Sequence, residues 1–243
     1  MTLNSQIAVN DRPSLRPRRL AVDVHTQLRE MIVTGELAPN VVLSQAGLAQ
    51  MLGVSRGPVR EAFRRLQEQG LITAEPDQRP RVTGFNPASL DSLYGARISL
   101  ETLGTGLTAA NRTPEALERL NELLEEMDKD VEEGDLPWRI AHRNFHATLA
   151  SGAGTVVTEL TISLAERSEP YYRLYGQNHT DVHGDHREIL LAVEARDVPR
   201  AHYLHARHVS RTALTVLSNM APEYEPRAIR AALLPYGING AHD

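Results

Sequence analysis

No cysteine occurs among the 243 residues, which excludes disulfides and thiolate metal sites. Aromatic residues are scarce at 5%, so a hydrophobic fraction of 41% has to build its core mostly from Leu, Ala, Val and Ile. No apolar run approaches the roughly 18 residues that a membrane-crossing helix needs. The opening stretch, MTLNSQIAVNDRPSLRPRR, lacks the apolar block of a secretory signal, and a cytoplasmic location is the simplest expectation. An HExxH pair, a glycine-rich phosphate loop and a redox cysteine pair are missing too, so the usual signatures of metalloprotease, nucleotide and thiol chemistry are absent.

Charge of one sign is also in short supply, with a net of only −5, but it is unevenly placed. Residues 1–85 hold 11 arginines against 8 acidic residues, a balance of +3. The remainder holds 15 basic residues against 23 acidic ones, a balance of −8. A basic front and an acidic rear suit a chain whose first part meets a polyanion and whose second part does something else.

The basic front contains LSQAGLAQMLGVSRGPVREAFRRLQEQGLI, residues 43–72. Leu48, Ala49, Met51 and Leu52 are the apolar positions of a short helix that Gly53 breaks. Val54 follows as an apolar plug, and Ser55 is placed to cap a second helix. Pro58 then falls at the third helical position, where its missing N–H is tolerated. Val59, Ala62, Phe63 and Leu66 share one face of that helix, and Arg56, Arg60 and Arg64 share the opposite one at i, i+4 and i+8. The pattern predicts a helix-turn-helix that binds DNA. An ordinary helical hairpin with a solvated charged face has the same spacing.

Around this pair, residues 20–34 read as a helix ended by Gly35, while residues 1–19 read as a disordered arm finishing in Arg16, Arg18 and Arg19. Behind it, Leu71–Ala74 and Arg81–Phe85 read as two short strands about a polar turn at Pro76–Pro80. Two small strands after a recognition helix make a wing, with Arg79 and Arg81 set to touch phosphate or the minor groove. Residues 20–85 are thus expected to form a winged helix-turn-helix. After the break at Asn86 and Pro87 come helical stretches at 89–111, 114–133, 137–151, 155–176, 181–195 and 198–219. Their short connections predict antiparallel neighbours, hence a mainly α fold whose rear domain, 86–220, is a bundle of about six helices. Residues 221–243 form a tail with room for one short helix.

Most of the ten histidines fall between 142 and 208. His142 and His146, four apart on one helix, share a face. His186 lies on the fifth helix of the bundle, and His202, His205 and His208 on the sixth. Facing helices can bring such residues to one interior point, where three or four imidazoles would hold a divalent ion such as Zn²⁺ or Ni²⁺. Exposed polar histidines and core histidines bonded to backbone are the alternative. A catalytic use would need a general base, and Glu166, Glu169 and Glu188 are the nearest acids in sequence.

Both modules resemble the GntR family of bacterial transcription regulators, in its FadR-like branch with an FCD-type effector domain. LREMIVTGELAPNVVLSQAGLAQMLGVSRGPVREAFRRLQEQGLI is similar to the family's helix, G-x-L-x-P-G, L-A-x-x-L-G-V-S-R-x-P-V-R-E-A-L-x-x-L and G-L. The resemblance implies that Arg56 and Arg60 read guanine edges in the major groove, that Gly57 and Pro58 lie near backbone or a thymine methyl, and that Arg64 reaches phosphate at most. Gln45 stands where relatives carry a charge, and EPDQRPRV replaces the usual glycine-containing wing turn. In the rear module LYGARISLETLGTGLTAA, HRNFH, DHREIL and AHYLHARHV resemble FCD motifs.

Carried over residue by residue, the FCD resemblance implies metal ligands at His142, His146, His186 and His208, and an effector site that includes Arg97 and His146. His205 could lean on the pocket, and His202 is more simply a surface residue. Where the family usually supplies aspartate this chain has His142, which favours Zn or Ni over harder ions; a three-histidine site without His142 is the alternative. On local spacing alone Arg97 pairs with Glu101 at the surface. The implied protein is a homodimeric repressor, not an enzyme, which binds a pseudopalindromic double-stranded DNA operator and responds to a small anionic metabolite, a carboxylate. Its rivals are a metal-dependent hydrolase-like bundle fused to a DNA-binding module, and a regulator whose metal is purely structural.

Overall fold

The computed structural model describes residues 17–75, 78–129, 136–175 and 182–238. Helix α1 (Pro17–Val33) starts earlier than the sequence pattern suggests, because Pro17 at its first position has its backbone torsion already set for a helix. Arg18 and Arg19 therefore belong to α1 and not to a disordered arm, while residues 1–16, Arg16 among them, lie outside the described residues. Val24, Leu28 and Ile32 bury one face of α1 in a core shared with the next two helices, α2 (Gln45–Met51) and α3 (Arg56–Glu68). Gly53 makes the turn between them at φ 64°, a left-handed conformation that costs a side-chain-bearing residue about 1–2 kcal/mol. Ser55 precedes α3 in an extended conformation, yet its hydroxyl makes no capping bond. Met51 is 55% exposed and not apolar filling: Leu48 and Ala49 face inward, and Met51 lies roughly 200° beyond Ala49 around the helix.

The wing is smaller than expected. Strand β1 (Ile72–Thr73) pairs antiparallel with β2 (Arg81–Val82), with Ile72 opposite Val82. The preceding residue, Leu71, gives its N–H to Leu66 at the end of α3, which shortens β1 from its front. Val42 bridges to Arg81, so the wing also leans on the segment before α2. Pro76 and Asp77 of the turn lie outside the described residues.

The bundle follows as α4 (Pro87–Asn111), α5 (Pro114–Asp128), α6 (Leu136–Ala150), a 3-10 turn at Ser151–Ala153, α7 (Thr155–Tyr175), α8 (Val182–Glu194) and α9 (Val198–Met220). Asn86 caps α4, its side chain accepting from the Ser89 N–H at 3.0 Å. Helix α4 runs through the middle: Leu90, Tyr94 and Ile98 pack with α9, and Ala109 joins the core of α5, α6, α8 and α9. At Gly104 a Cβ would stand 2.5 Å from the Ala150 backbone, so this glycine sets how closely α4 approaches the end of α6.

The segment after α9 is docked. Helix α10 (Arg227–Leu233) and a 3-10 turn at Leu234–Tyr236 lie on α4 and α9, burying Ile229, Leu233 and Ile238. Buried Asp91 of α4 accepts the N–H groups of Arg227, Ala228 and Ile229 at 2.9–3.0 Å and the Tyr224 hydroxyl at 3.2 Å, so one carboxylate caps α10 from a neighbouring helix.

Candidate metal and effector site

Four histidines from three helices meet in the bundle interior: His142 and His146 of α6, His186 of α8 and His208 of α9. One ring nitrogen of each lies within 4.8 Å of those of the others. His146, His186 and His208 are buried, and His142 is half-buried, stacked on Trp138 at 4.6 Å. Burial, then the neighbouring imidazoles, hold His142 and His208 well below their ordinary value of 6.5. Burial also lowers His146, outweighing the Glu101 carboxylate beside it. The rings of His142, His146 and His208 are therefore neutral, the form that binds metal.

Two carboxylates orient these rings. Burial works against ionisation of Glu101, but Arg97, His146 and His205 hold its carboxyl well below the usual range. As an ionised acceptor, its Oε2 takes the N–H of His146 Nδ1 at 2.9 Å and of His205 Nε2 at 3.2 Å. That leaves His146 Nε2 with a lone pair, and this atom is buried with no hydrogen-bond partner among the described residues. Asp185 of α8 does the same for His208, accepting from Nδ1 at 3.2 Å, and it also pairs with Arg207 and Arg211. Carboxylates behind histidines in this way fix the tautomer and raise ligand basicity, so the donor set fits a divalent ion.

A cavity of about 80 Å³ opens beside the cluster. His142, His146 and His208 line one side, and Arg97, Arg139, Arg143, Ser168 and Glu169 line others. At the start of α3, Arg56, Gly57 and Arg60 are exposed and Pro58 is half-buried. Among the described residues no carboxylate comes within ion-pair distance of Arg56 or Arg60. Arg64 is held between Glu61, at 2.8 Å, and Glu68. In the wing Arg79 is exposed, and Arg81 gives an N–H to the Asn40 carbonyl at 3.1 Å.

Residues 20–82 match the model of the bacterial regulatory proteins of the gntR family, and residues 92–211 match the FCD domain. The chain belongs to the GntR family. YdhC, an HTH-type transcriptional regulator of Bacillus subtilis (strain 168), is 32% identical over 136 residues, which are 55% of this chain and 61% of YdhC. The chain thus spans less than two thirds of that relative. GlaR, an HTH-type transcriptional repressor of Escherichia coli (strain K12), is 27% identical over 207 residues, 78% of this chain and 92% of GlaR. Among solved structures, E. coli McbR/YncC superposes with a TM-score of 0.67 at 25% identity, over 82% of this chain and 97% of that one. This GntR protein has the DNA-binding and FCD domains of a transcription regulator, a family whose members are not enzymes.

The family frame leaves several residues of this regulator to be placed by its own geometry. Arg97 lines the cavity, but its partner Glu101 is fully buried: Nε meets Oε1 at 2.7 Å and Nη1 donates to Ser168 at 3.0 Å. The expected surface pair is an interior one. His205 is buried on Glu101 and Thr105. His202 is half-buried rather than a surface residue, its ring 5.6 Å from Tyr236 and tight over Gly106. Of the three candidate bases Glu188 is exposed, while Glu166 and Glu169 are engaged by arginines. Sequence reasoning placed Glu101 only as a surface partner of Arg97 and missed Asp185 and Arg139. Glu101 carried a usable signal, being the one acid in the apolar and small-residue stretch ISLETLGTG.

Proposed function

We propose that this GntR regulator is a homodimeric repressor whose winged module, residues 20–85, binds a pseudopalindromic operator, and whose helical domain, residues 86–220, holds a divalent ion and a small carboxylate effector. The observation that carries the metal reading is His146 Nε2: buried, without a hydrogen-bond partner among the described residues, and fixed as an acceptor by ionised Glu101. His142, His186 and His208 complete the donor set, and four imidazole nitrogens favour Zn²⁺ or Ni²⁺ over Mg²⁺ or Mn²⁺. A bound ion supplies a Lewis-acid centre for a carboxylate oxygen. The chain's own residues do the rest: Arg97 adds positive charge at the cavity wall, and Glu101 and Asp185 keep two rings oriented.

On the DNA side Arg56 and Arg60, exposed and without carboxylate partners among the described residues, are the base-edge readers, with Gly57 and Pro58 allowing close approach. Arg64, Arg79 and Arg81 serve the phosphates. Negative control is the sign supported by GlaR, whose name describes a repressor and whose alignment covers 78% of this chain. Effector binding shifts the operator equilibrium by its differential affinity for the DNA-binding and released arrangements. The test is metal analysis of the purified full chain beside His146→Ala: near-stoichiometric zinc or nickel in the first and loss of it in the second is expected. Full metal retention in the variant would refute the site.

A further inference from the structure

One wall of the cavity is also the seam between the two domains. Arg139 of α6 and Glu169 of α7 line the cavity, and both reach α1 of the DNA-binding domain. Arg139 gives Nη1 to Glu169 and Nη2 to Glu30 of α1, while Glu169 also accepts from Arg29 of α1. Next to them Arg143, another lining residue, lies 3.5 Å from Glu166, which accepts from Gln69 at 3.2 Å. A guanidinium exposed to the effector cavity thus already holds a carboxylate that belongs to the DNA-binding domain.

The partners in this network are not equally replaceable. The Arg139 side chain is 7% exposed and Glu169 13%, whereas Glu30 is 36% exposed. Glu169 has Arg29 as a second partner; Glu30 has, among the described residues, no other ion pair. Arg139 holds each carboxylate through one terminal nitrogen, and its buried Nε has no hydrogen-bond partner among the described residues, so the guanidinium keeps donor capacity for a further anion. Of the two carboxylates Glu30 is the more exposed and the one without a second ion pair among the described residues, so it is the one that a further anion reaching Arg139 from the cavity displaces first.

We infer that Arg139 is a second anion subsite of the effector cavity, shared between the effector and Glu30, and that the effector is a short-chain dianion. One carboxylate sits at the histidine centre, which rests on the reading above. The other replaces Glu30 on Arg139 and loosens α1 from the helical domain. The cavity's 80 Å³ suits this size: at roughly 10–15 Å³ per water on the same measure it takes a handful of waters or one short anion. A monocarboxylate at the histidines leaves the Arg139–Glu30 contact in place. Because α1 and the dianion compete for one group, the coupling between effector binding and domain docking is reciprocal.

Lactate and malate, which differ by one carboxylate, test this on the zinc-loaded full chain by titration calorimetry with hydrogen exchange. Malate is expected to bind at least about tenfold more tightly and to raise exchange in α1, and lactate to leave α1 exchange unchanged. Arg139→Gln should remove the preference while keeping lactate affinity within about twofold. Glu30→Gln, a change at a half-exposed residue that leaves the cavity wall intact, should tighten malate about threefold or more and leave lactate alone. Equal affinities in the unaltered protein, or a preference that survives Arg139→Gln, overturns the subsite and spares the carboxylate reading. Binding of neither acid overturns both.

Discussion

Glu101 shows how one side chain organises this site. Fully buried, it balances Arg97 and accepts from two histidines, so its charge is spent inside the protein and not on solvent. Glu101→Gln keeps the volume but leaves Arg97 buried without its counter-charge, an error that costs about 3–5 kcal/mol in buried pairs. It also withdraws the acceptor that fixes His146, which typically lowers metal affinity about 10- to 100-fold. Urea unfolding and competition with a zinc chelator measure the two losses, and unchanged chelator competition would mean that Glu101 is structural only. The histidines carry a pH dependence of determined sign. Burial and neighbouring rings hold His142 and His208 below 6.5 in the folded chain, so unfolding takes up protons once pH falls below that value. Stability from their neutrality is complete above about 6.5 and is lost as pH falls toward their folded values. Glu101 and Glu169, whose folded values lie below 4.5, lose theirs only in a lower window. Calorimetry from pH 8 to 5, with metal content followed alongside, should show melting temperature and bound metal declining together below pH 6.5. The histidine face of α6 was legible because i, i+4 spacing fixes it. The acids behind it were not, since Arg97–Glu101 at i+4 has the same spacing on a surface as in a core.

At the scale of elements, breaks and periodicity carried most of the information. Thr113–Pro114 and Asp197–Pro199 mark real helix starts, with Thr113 and Asp197 both capping through their side chains. The two strands of the wing were placed but overextended, because pattern alone does not reveal that Leu71 gives its N–H to the end of α3 and keeps only its carbonyl, which accepts from Thr83, for the wing. The end of the chain was open for a related reason: a helix of seven residues is too short to stand alone, and its stability comes from a partner distant in sequence. That partner is Asp91. Asp91→Ala strands three backbone N–H groups and the Tyr224 hydroxyl, of which burial allows only partial rescue by water. The expected cost is about 1–3 kcal/mol, the range for leaving a buried donor unsatisfied. Hydrogen exchange should localise the effect to residues 222–238, with the winged module unchanged. Uniformly faster exchange throughout the bundle would instead make Asp91 a determinant of the whole core.

For the molecule as a whole, the charge split along the chain becomes a division of labour on α3. Arg56 and Arg60 face outward with no acid partner among the described residues, whereas Arg64 lies between two glutamates and its side chain is only 58% exposed. A cation already paired releases fewer counterions when it meets phosphate, since its own carboxylates must first be displaced. Arg60→Ala should therefore cost about 1–3 kcal/mol per half-site and relax base preference at one operator position, the signature of a lost guanine contact. Arg64→Ala should leave base preference intact and change the slope of log affinity against log salt by less than one per subunit, because the variant also frees Glu61 and Glu68 to repel the backbone. Fluorescence anisotropy on the operator and on single-base variants, across a salt series, separates the two residues. A loss of base preference in Arg64→Ala matching that in Arg60→Ala would place Arg64 on the base edges and remove the distinction its glutamate partners support.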